Sequence, residues 1–372
     1  MAPIKVGFIG ASAGSGLFVR SWAAKAHIPY LVQTPNYTIT AMQNSSQASA
    51  ERAIQDHKIP GEIATYGDPE SLAADPNVDL VAVSVKVPLH SRLLRPALEA
   101  GKDVFVEWPL AANLKEAEEL TALAKSKSVK TIVGLQARQD SSIRKAREMV
   151  QSGELGQIIS TTMKGAGGIF NASLGTSYEY LLPIENGANM VTIPAGHAID
   201  ALCYVVGEFR DLQATLANNI PKIQIVDGEG NILRTVDKTS HDWMSVSGNL
   251  VNGGVANVVY EGGSSLTGKS FCWEIVGTKG ALVLEGPHGH VQMFHPTLKI
   301  VRAGDKEAKL EEIKVEISSK PMDFTFNTGK AWDAFVGQGD GSWTTFEDAV
   351  VRHKMIDAIY RSNESGRRES YI

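Results

Sequence analysis

The apolar positions of this chain fall into two successive rhythms. From Ile4 to about Ala137, short apolar runs alternate with stretches of helical periodicity, a pattern that predicts repeated strand, crossover helix and parallel strand. The predicted strands are Ile4–Ile9, Thr38–Met42, Leu80–Val85, Asp103–Val106 and Thr131–Leu135. A helix over Asn113–Lys125, opened by Asn113 as N-cap, lies between the last two. Five parallel strands joined by helices describe a doubly wound α/β domain.

After a helix around Ser142–Ser152 that stops at Gly153, apolar residues recur every second position between glycine turns, which predicts a mostly antiparallel sheet. Strands are expected near Ile158–Lys164, Met244–Leu250, Val255–Tyr260, Phe271–Val276, Ala281–Glu285, Val291–Phe294 and Lys299–Val301, with Asn252-Gly253-Gly254 as a hairpin turn. Helices over Phe326–Phe335 and from Phe346 to about Ser362, the latter capped by Thr345, close the chain. The change of rhythm divides it into residues 1–138 and 139–372, the second part an α+β domain with a large open sheet; the helix 346–362 is expected to pack back on the first part. Two domains imply a cleft.

At 372 residues the chain is longer than one core usually serves, in keeping with that division. Lys and Arg total 36 against 41 Asp and Glu, a net charge of −5 without a long single-sign run, so the electrostatic footprint of a nucleic-acid or membrane-surface binder is missing. Cys203 and Cys272 lie in apolar-aromatic contexts and read as buried free thiols of a reducing compartment. The N-terminus runs straight into a strand pattern and no apolar stretch approaches the ~20 residues of a membrane span, so the cytoplasm, or the nucleus, is the expected location. No histidine or cysteine spacing predicts a metal: His288 and His290 read as a turn entering a strand. No nucleophile elbow or phosphate loop with its Lys-Ser/Thr appears.

The first strand runs into Gly10-Ala11-Ser12-Ala13-Gly14-Ser15-Gly16. Small residues there let the backbone approach a pyrophosphate, whose charge helix-end amides attract. Ser12 stands where Gly-x-Gly-x-x-Gly has its second glycine, and Gly14 and Gly16 are shifted, so a plain glycine-rich turn is the competing reading. At the end of the second strand, Met42-Gln43-Asn44-Ser45-Ser46 lacks the carboxylate that would take the ribose hydroxyls of NAD and repel a 2′-phosphate. NADP is therefore slightly favoured over NAD, with Ser45, Ser46 and Arg52 as phosphate partners; alternatively, Asn44 and the serines only cap the helix that follows.

Several stretches, in order, resemble the Gfo/Idh/MocA family of oxidoreductases: Val6–Gly10 with Ala26-His27-Ile28-Pro29-Tyr30-Leu31, Asp79–Val85 followed by His90 and Ala97–Lys102, Val104–Pro109, Gly196-His197-Ala198-Ile199-Asp200, and Gly277-Thr278-Lys279-Gly280. The likeness covers nearly the whole chain. Within the family, Val83–His90, Val106–Ala112 and Asn218-Asn219-Ile220-Pro221 are similar to the branch of the fungal galactose-pathway repressors, which bind a dinucleotide and an activator protein instead of turning over a sugar. The resemblance implies a Rossmann domain for NAD or NADP, touched by Val85, Lys86, His90, Glu107, Trp108 and Gln136, and a second domain for a small hydroxylated metabolite and for assembly as a homodimer or homotetramer. Under the repressor branch it implies a protein partner instead.

Family enzymes place a lysine in Glu-Lys-Pro and an aspartate four residues before a histidine. Here Trp108 replaces the lysine and Ile193 stands four residues before His197, so the usual acid-base pair is missing. His197 itself suits proton transfer, against the reading of a bonded core histidine. Asp200 would share its helix face and orient the ring or cap the structure. Lys86, at the carboxyl end of the Leu80–Val85 strand, either carries the proton or pairs with cofactor phosphate or Glu107. Arg138, Tyr178, Tyr180, Asn189 and His197 are expected to line the substrate pocket, although the tyrosines could simply pack. The glycine-rich stretch Gly165–Gly175 is either a mobile rim or a plain surface loop. An oxidoreductase acting on a sugar or polyol, with hydride return as a variant, and a cofactor-binding regulator without turnover are the two functions compatible with these residues.

Overall fold

The computed structural model describes residues 2–12, 21–304, 309–317, 323–339 and 342–372. The chain forms two compact units, one of Met1–Gln136 with Ser319–Val350 and one of Ala137–Ser318 with Val351–Ile372. The apolar pattern places all of 139–372 in the second domain; the structure instead returns residues 319–350 to the first unit and leaves most of the last helix in the second.

In the first unit, β1 (Ile4–Ile9), β2 (Tyr37–Gln43), β3 (Ala64–Tyr66), β4 (Leu80–Val83), β5 (Asp103–Glu107) and β6 (Thr131–Gly134) form a parallel sheet in the order β3-β2-β1-β4-β5-β6. Neighbours β1 and β4 are where the strand order reverses, and such a point opens a crevice at the carboxyl ends of the strands. The sheet has six strands rather than five, because the three residues of β3 are too few to show a period. The linking helices are α1 (Ile28–Leu31), α2 (Gln47–Asp56), α3 (Pro69–Ala74), α4 (His90–Glu99) and α5 (Leu114–Ser126). Their starts follow local chemistry: Asn113 Oδ1 accepts from Glu116 N at 3.0 Å, and Gly101, at φ +73°, ends the turn after α4 without Cβ strain. Val6, Phe8, Ile39, Leu80, Phe105 and Ile132 make the core of this unit, and Trp332 and Phe335 complete it from a later helix.

In the second unit, α6 (Ser141–Gln151) leads to β7 (Ile158–Gly167), β8 (Ser173–Gly175) and α7 (Gly196–Val206). Then come β9 (Phe209–Ala217), β10 (Lys222–Val226), β11 (Ile232–Asp237), β12 (Trp243–Leu250), β13 (Val255–Gly262), β14 (Phe271–Gly277), β15 (Gly280–Gly286), β16 (Thr297–Arg302) and β17 (Glu311–Glu312). One sheet runs β17-β16-β15-β14-β7-β13-β12-β9, antiparallel except where β7 meets β13; a smaller one runs β11-β10-β8. The Asn252-Gly253-Gly254 turn joins β12 to β13, both glycines at positive φ. Val291–Phe294 is not a strand: Val291–Met293 is a 3₁₀ turn. Gly165–Gly167 belongs to β7 and Ser173–Gly175 to β8, so much of the glycine-rich stretch is sheet rather than loop. The closing helices are α8 (Thr325–Phe335), in the first unit, and α9 (Phe346–Ser365), which starts in the first unit and ends in the second. Thr345 Oγ1 accepts from Asp348 N at 3.4 Å, and the Asp348 carboxylate accepts from Thr345 N at 2.9 Å. Among the described residues no helix is long and apolar enough to cross a membrane.

Candidate functional site

The end of β1 is built for close approach. Gly10 has φ +98°, and a Cβ there would lie 2.5 Å from Ser84 O and 2.4 Å from Val85 Cγ1, so no other residue fits. Asn44 Nδ2 donates to Ala11 O at 2.9 Å and to Ser49 O at 3.1 Å, tying the end of β2 to the turn, while the His57 ring meets Ser12 O at 3.2 Å. Gly14 and Gly16 lie outside the described residues. The cradle at Gly10, between the carboxyl ends of β1 and β4, fits a dinucleotide's diphosphate. Ser46 Oγ accepts from Ser49 N at 3.2 Å as the N-cap of α2, so its hydroxyl serves the helix; Ser45 and Arg52 are exposed. That outcome removes one of the expected phosphate partners and favours the capping alternative for it.

Two expected cofactor residues are committed elsewhere within the first unit. Trp332 Nε1 donates to His27 Nδ1 at 3.2 Å, which fixes the tautomer, and His27 Nε2 then donates to Glu107 Oε1 at 2.6 Å. Phe8, Phe105 and Trp332 surround the His27 ring edge-on. Glu107 thus anchors a buried imidazole through Oε1, and its carboxylate fills the space beside Gly134, where a Cβ would come within 2.7 Å of Oε2. His90 is fully buried, with Nδ1 2.9 Å from Pro109 O and Nε2 3.1 Å from Val85 O; burial lowers its pKa, and the neutral ring donates to one of these two carbonyls while it packs between the loops after β4 and β5. Trp108 is buried as well. Lys86 is exposed at the start of the 3₁₀ turn Val87–Leu89, and Val85 packs on Gly10. Gln136 is buried with its Oε1 unpaired, which leaves an acceptor for a ligand.

In the second unit, His197 lies in the first turn of α7, directly after a π turn over Val191–Ala195. It is 3% exposed, its Nδ1 has no hydrogen-bond partner, and burial drives its pKa down to about 4 against a small opposing pull from Asp200. Asp200 does not orient that ring. Its carboxylate accepts from Arg138 at 2.8 and 2.7 Å and from Arg352 Nε at 3.2 Å, and Arg352 also holds Glu208 at 2.7 and 3.0 Å. Burial alone would raise the Asp200 pKa, but the two guanidinium groups hold it below the usual carboxylate value. Asp200 and Arg138 are therefore members of an ion cluster in the interior of the second unit.

Two other expected pocket residues, Asn189 and Tyr178, have structural contacts. Asn189 Oδ1 accepts from Val191 N at 2.9 Å and Thr192 N at 3.2 Å, capping the turn that leads to α7; only its Nδ2 lacks a partner. Tyr178 packs on the Leu174, Leu182, Ile223 and Ile225 cluster beside the small sheet, which is the packing outcome. Burial raises the Tyr180 pKa to about 12. Conversely, Tyr260 Oη, His290 Nε2 and Gln292 Oε1 are buried and unpaired, although no motif singles these residues out. Tyr260 reads in sequence as one more alternating strand residue, and the His-Gly-His turn has no metal-ligand spacing; only their missing partners set them apart. Among the described residues no group of three His, Cys, Asp or Glu could hold a metal.

Comparison with known proteins agrees with this architecture. Residues 4–135 match the model of an oxidoreductase family with an NAD-binding Rossmann fold, and residues 141–286 match that of the Gal80p C-terminal domain. The chain is 36% identical to the dehydrogenase aclE of Aspergillus oryzae, covering 99% of this chain and 98% of that protein. It is 31% identical to the galactose/lactose metabolism regulatory protein GAL80 of Saccharomyces cerevisiae, covering 98% and 94% respectively. A solved super-repressor mutant of Gal80p from Saccharomyces cerevisiae superposes with a TM-score of 0.88 at 28% identity, over 99% of this chain and 98% of that one. With the strand order and the Gly10 cradle already described, these matches show that the chain belongs to the Gfo/Idh/MocA oxidoreductase family, near its Gal80-like branch.

Proposed function

We propose that the protein is a dinucleotide-dependent oxidoreductase that interconverts an alcohol and a carbonyl on a hydroxylated metabolite. His197 carries this reading: a buried imidazole kept neutral at physiological pH, with Nδ1 unpaired, is a proton acceptor held in readiness. That nitrogen, like Gln136 Oε1, is open to a ligand. The dinucleotide, when bound at Gly10, Ser12 and the ends of β2 and β4, supplies the hydride acceptor. His197 takes the hydroxyl proton as the substrate C–H bond gives up its hydrogen with both electrons, and burial of the resulting imidazolium favours rapid return of the proton to solvent. Lys86, exposed at the end of β4, serves as phosphate contact or second proton carrier. With no carboxylate at the end of β2, both NAD and NADP are admissible cofactors.

The 36% identical relative is named a dehydrogenase over its full length, which supports the enzyme. Trp108 and Ile193, in place of the family's proton-handling pair, and the likeness to GAL80 favour a second reading: a regulator that binds a dinucleotide and a protein partner without turnover. One experiment separates them. The purified protein is denatured and the released nucleotide identified, and sugars and polyols are then screened for a change in reduced-nicotinamide absorbance. Turnover that falls by about 10²–10⁴-fold in His197→Phe supports the enzyme; retained nucleotide with no turnover for any compound supports the regulator. Unchanged turnover in Lys86→Met restricts Lys86 to phosphate.

A further inference from the structure

We propose that Ser370 is a phosphate-acceptor site for a serine/threonine kinase that reads paired arginines, and that the phosphate detaches residues 367–371 from the edge of the large sheet. The proposal stands whether the protein turns over a metabolite or binds a nucleotide without turnover.

The sequence holds one pair of adjacent arginines, Arg367-Arg368, and Glu369, Ser370 and Tyr371 follow it. Two guanidinium groups, three and two residues before a hydroxyl, suit a carboxylate-lined substrate groove, because kinases select by such charge patterns. Arg367, Arg368 and Ser370 are exposed, and the segment lies beyond the end of α9 at Ser365, so a local opening delivers the hydroxyl to a kinase cleft. In the transfer, Ser370 Oγ attacks the γ-phosphorus of ATP. The bond from Oγ to phosphorus forms as the bond to the β-phosphate oxygen breaks, ADP leaves, and the hydroxyl proton passes to the kinase's base.

The segment is an anchored strap. Leu212 and Glu369 exchange both backbone hydrogen bonds at 2.8 Å, so residues 367–371 lie along β9, the outermost strand of the large sheet, and cover its edge. Ser370 Oγ donates to Arg210 O at 2.9 Å, the shorter of its two carbonyl contacts, Arg361 Nη2 donates to Ser370 O at 3.3 Å, and Arg368 pairs with Asp211. The next residue reaches inward. Tyr371 Oη accepts from Phe209 N at 3.0 Å and donates to Glu208 Oε2 at 2.6 Å; Glu208 holds Arg352, and Arg352 holds Asp200 of α7. Ser370 thus stands between the edge pairing and the ion cluster that fastens α7.

A phosphoserine carries about −1.5 to −2 charge at pH 7 and three acceptor oxygens. At Ser370 it replaces a donated hydrogen bond with repulsion at the Arg210 carbonyl, and it adds negative charge beside Glu369. The guanidinium groups around it are already matched, Arg210 and Arg368 by Asp211 and Arg361 by Asp357 and Glu369. Each one that the phosphate captures leaves a carboxylate behind. The balance therefore favours release of the strap, and with it the withdrawal of Tyr371 from Glu208.

The test treats the intact, nucleotide-bound protein with the catalytic subunit of cyclic-AMP-dependent protein kinase and Mg·ATP, then reads phosphate by mass spectrometry and backbone amide hydrogen exchange. We expect phosphate at Ser370, none there in Ser370→Ala, and a rate of incorporation lower by about tenfold or more when Arg367→Ala and Arg368→Ala are combined. In the phosphorylated protein, exchange at Leu212 and Glu369 should quicken by about tenfold or more, and exchange along α7 should quicken with it. Tyr371→Phe, unphosphorylated, should reproduce the change in α7, since it removes the bond to Glu208 and leaves the serine in place. Absence of phosphate at Ser370, incorporation indifferent to the two arginines, or unchanged exchange at Leu212 after phosphorylation overturns the proposal. Neither readout uses turnover, so a failure to find hydride transfer would retire the oxidoreductase and leave Ser370 standing.

Discussion

His27 and His197 are buried to almost the same degree in different units, yet one is bonded through both ring nitrogens and the other is not. His27 joins Trp332 to Glu107 inside an aromatic cage, so its ring is part of the framework. His197 Nδ1 is buried with no hydrogen-bond partner in the protein. The family motifs mark both residues alike; what separates support from chemistry is whether each polar atom is satisfied. The same test moves Asp200 and Arg138, whose charges pair with each other, into the framework group.

The largest effect should come from breaking the framework where it is charged. Arg352→Leu leaves Asp200 and Glu208 short of a cation in the interior and should cost about 3–5 kcal/mol in urea unfolding; a loss below about 1 kcal/mol would mean the cluster is not structural. Next is pH. The His197 pKa falls from 6.5 unfolded to about 4 folded, chiefly by burial, so the unfolded chain takes up the proton first. Stability from this group is complete above pH 6.5 and lost as pH falls toward 4, by about 3 kcal/mol, and His197→Phe should flatten that part of the melting curve against pH. An unaltered slope in the variant would contradict the neutral buried ring. Smallest is the direct contrast. His27→Phe strands the Trp332 N–H and the Glu107 carboxylate and should cost about 1–3 kcal/mol at neutral pH, whereas His197→Phe should leave stability within about 1 kcal/mol of the parent. Equal costs would dissolve the distinction.

Much of the fold is legible in the apolar rhythm because burial imposes it: β1, β5, β14 and α8 lie within a residue or two of their predicted bounds. The pattern misses β8 to β11. Phe209–Ala217 carries Arg, Asp, Gln and alanines, which are poor strand formers, and it is held as a strand by pairing with β12. Val291–Phe294 looks like a strand by composition, but the preceding His-Gly-His is pinned to β7 and the chain turns there. In the candidate site, Gly10 and His197 are visible from motif and position. The commitments of Glu107, Asp200 and Arg138 are not, because each is fixed by a partner distant in sequence, as Arg352 is from Asp200. For Tyr260 and His290 nothing local signals a role, since an unpaired atom is a property of three-dimensional surroundings.

The first unit is assembled from two stretches of chain separated by about half the sequence, and Trp332, which closes its aromatic core and bonds His27, arrives with the later one. During synthesis the parallel sheet therefore emerges from the ribosome with its lid still untranslated, and must wait through the making of nearly all of the second unit. Chaperone dependence should consequently fall on the nucleotide-binding half, although that half is made first.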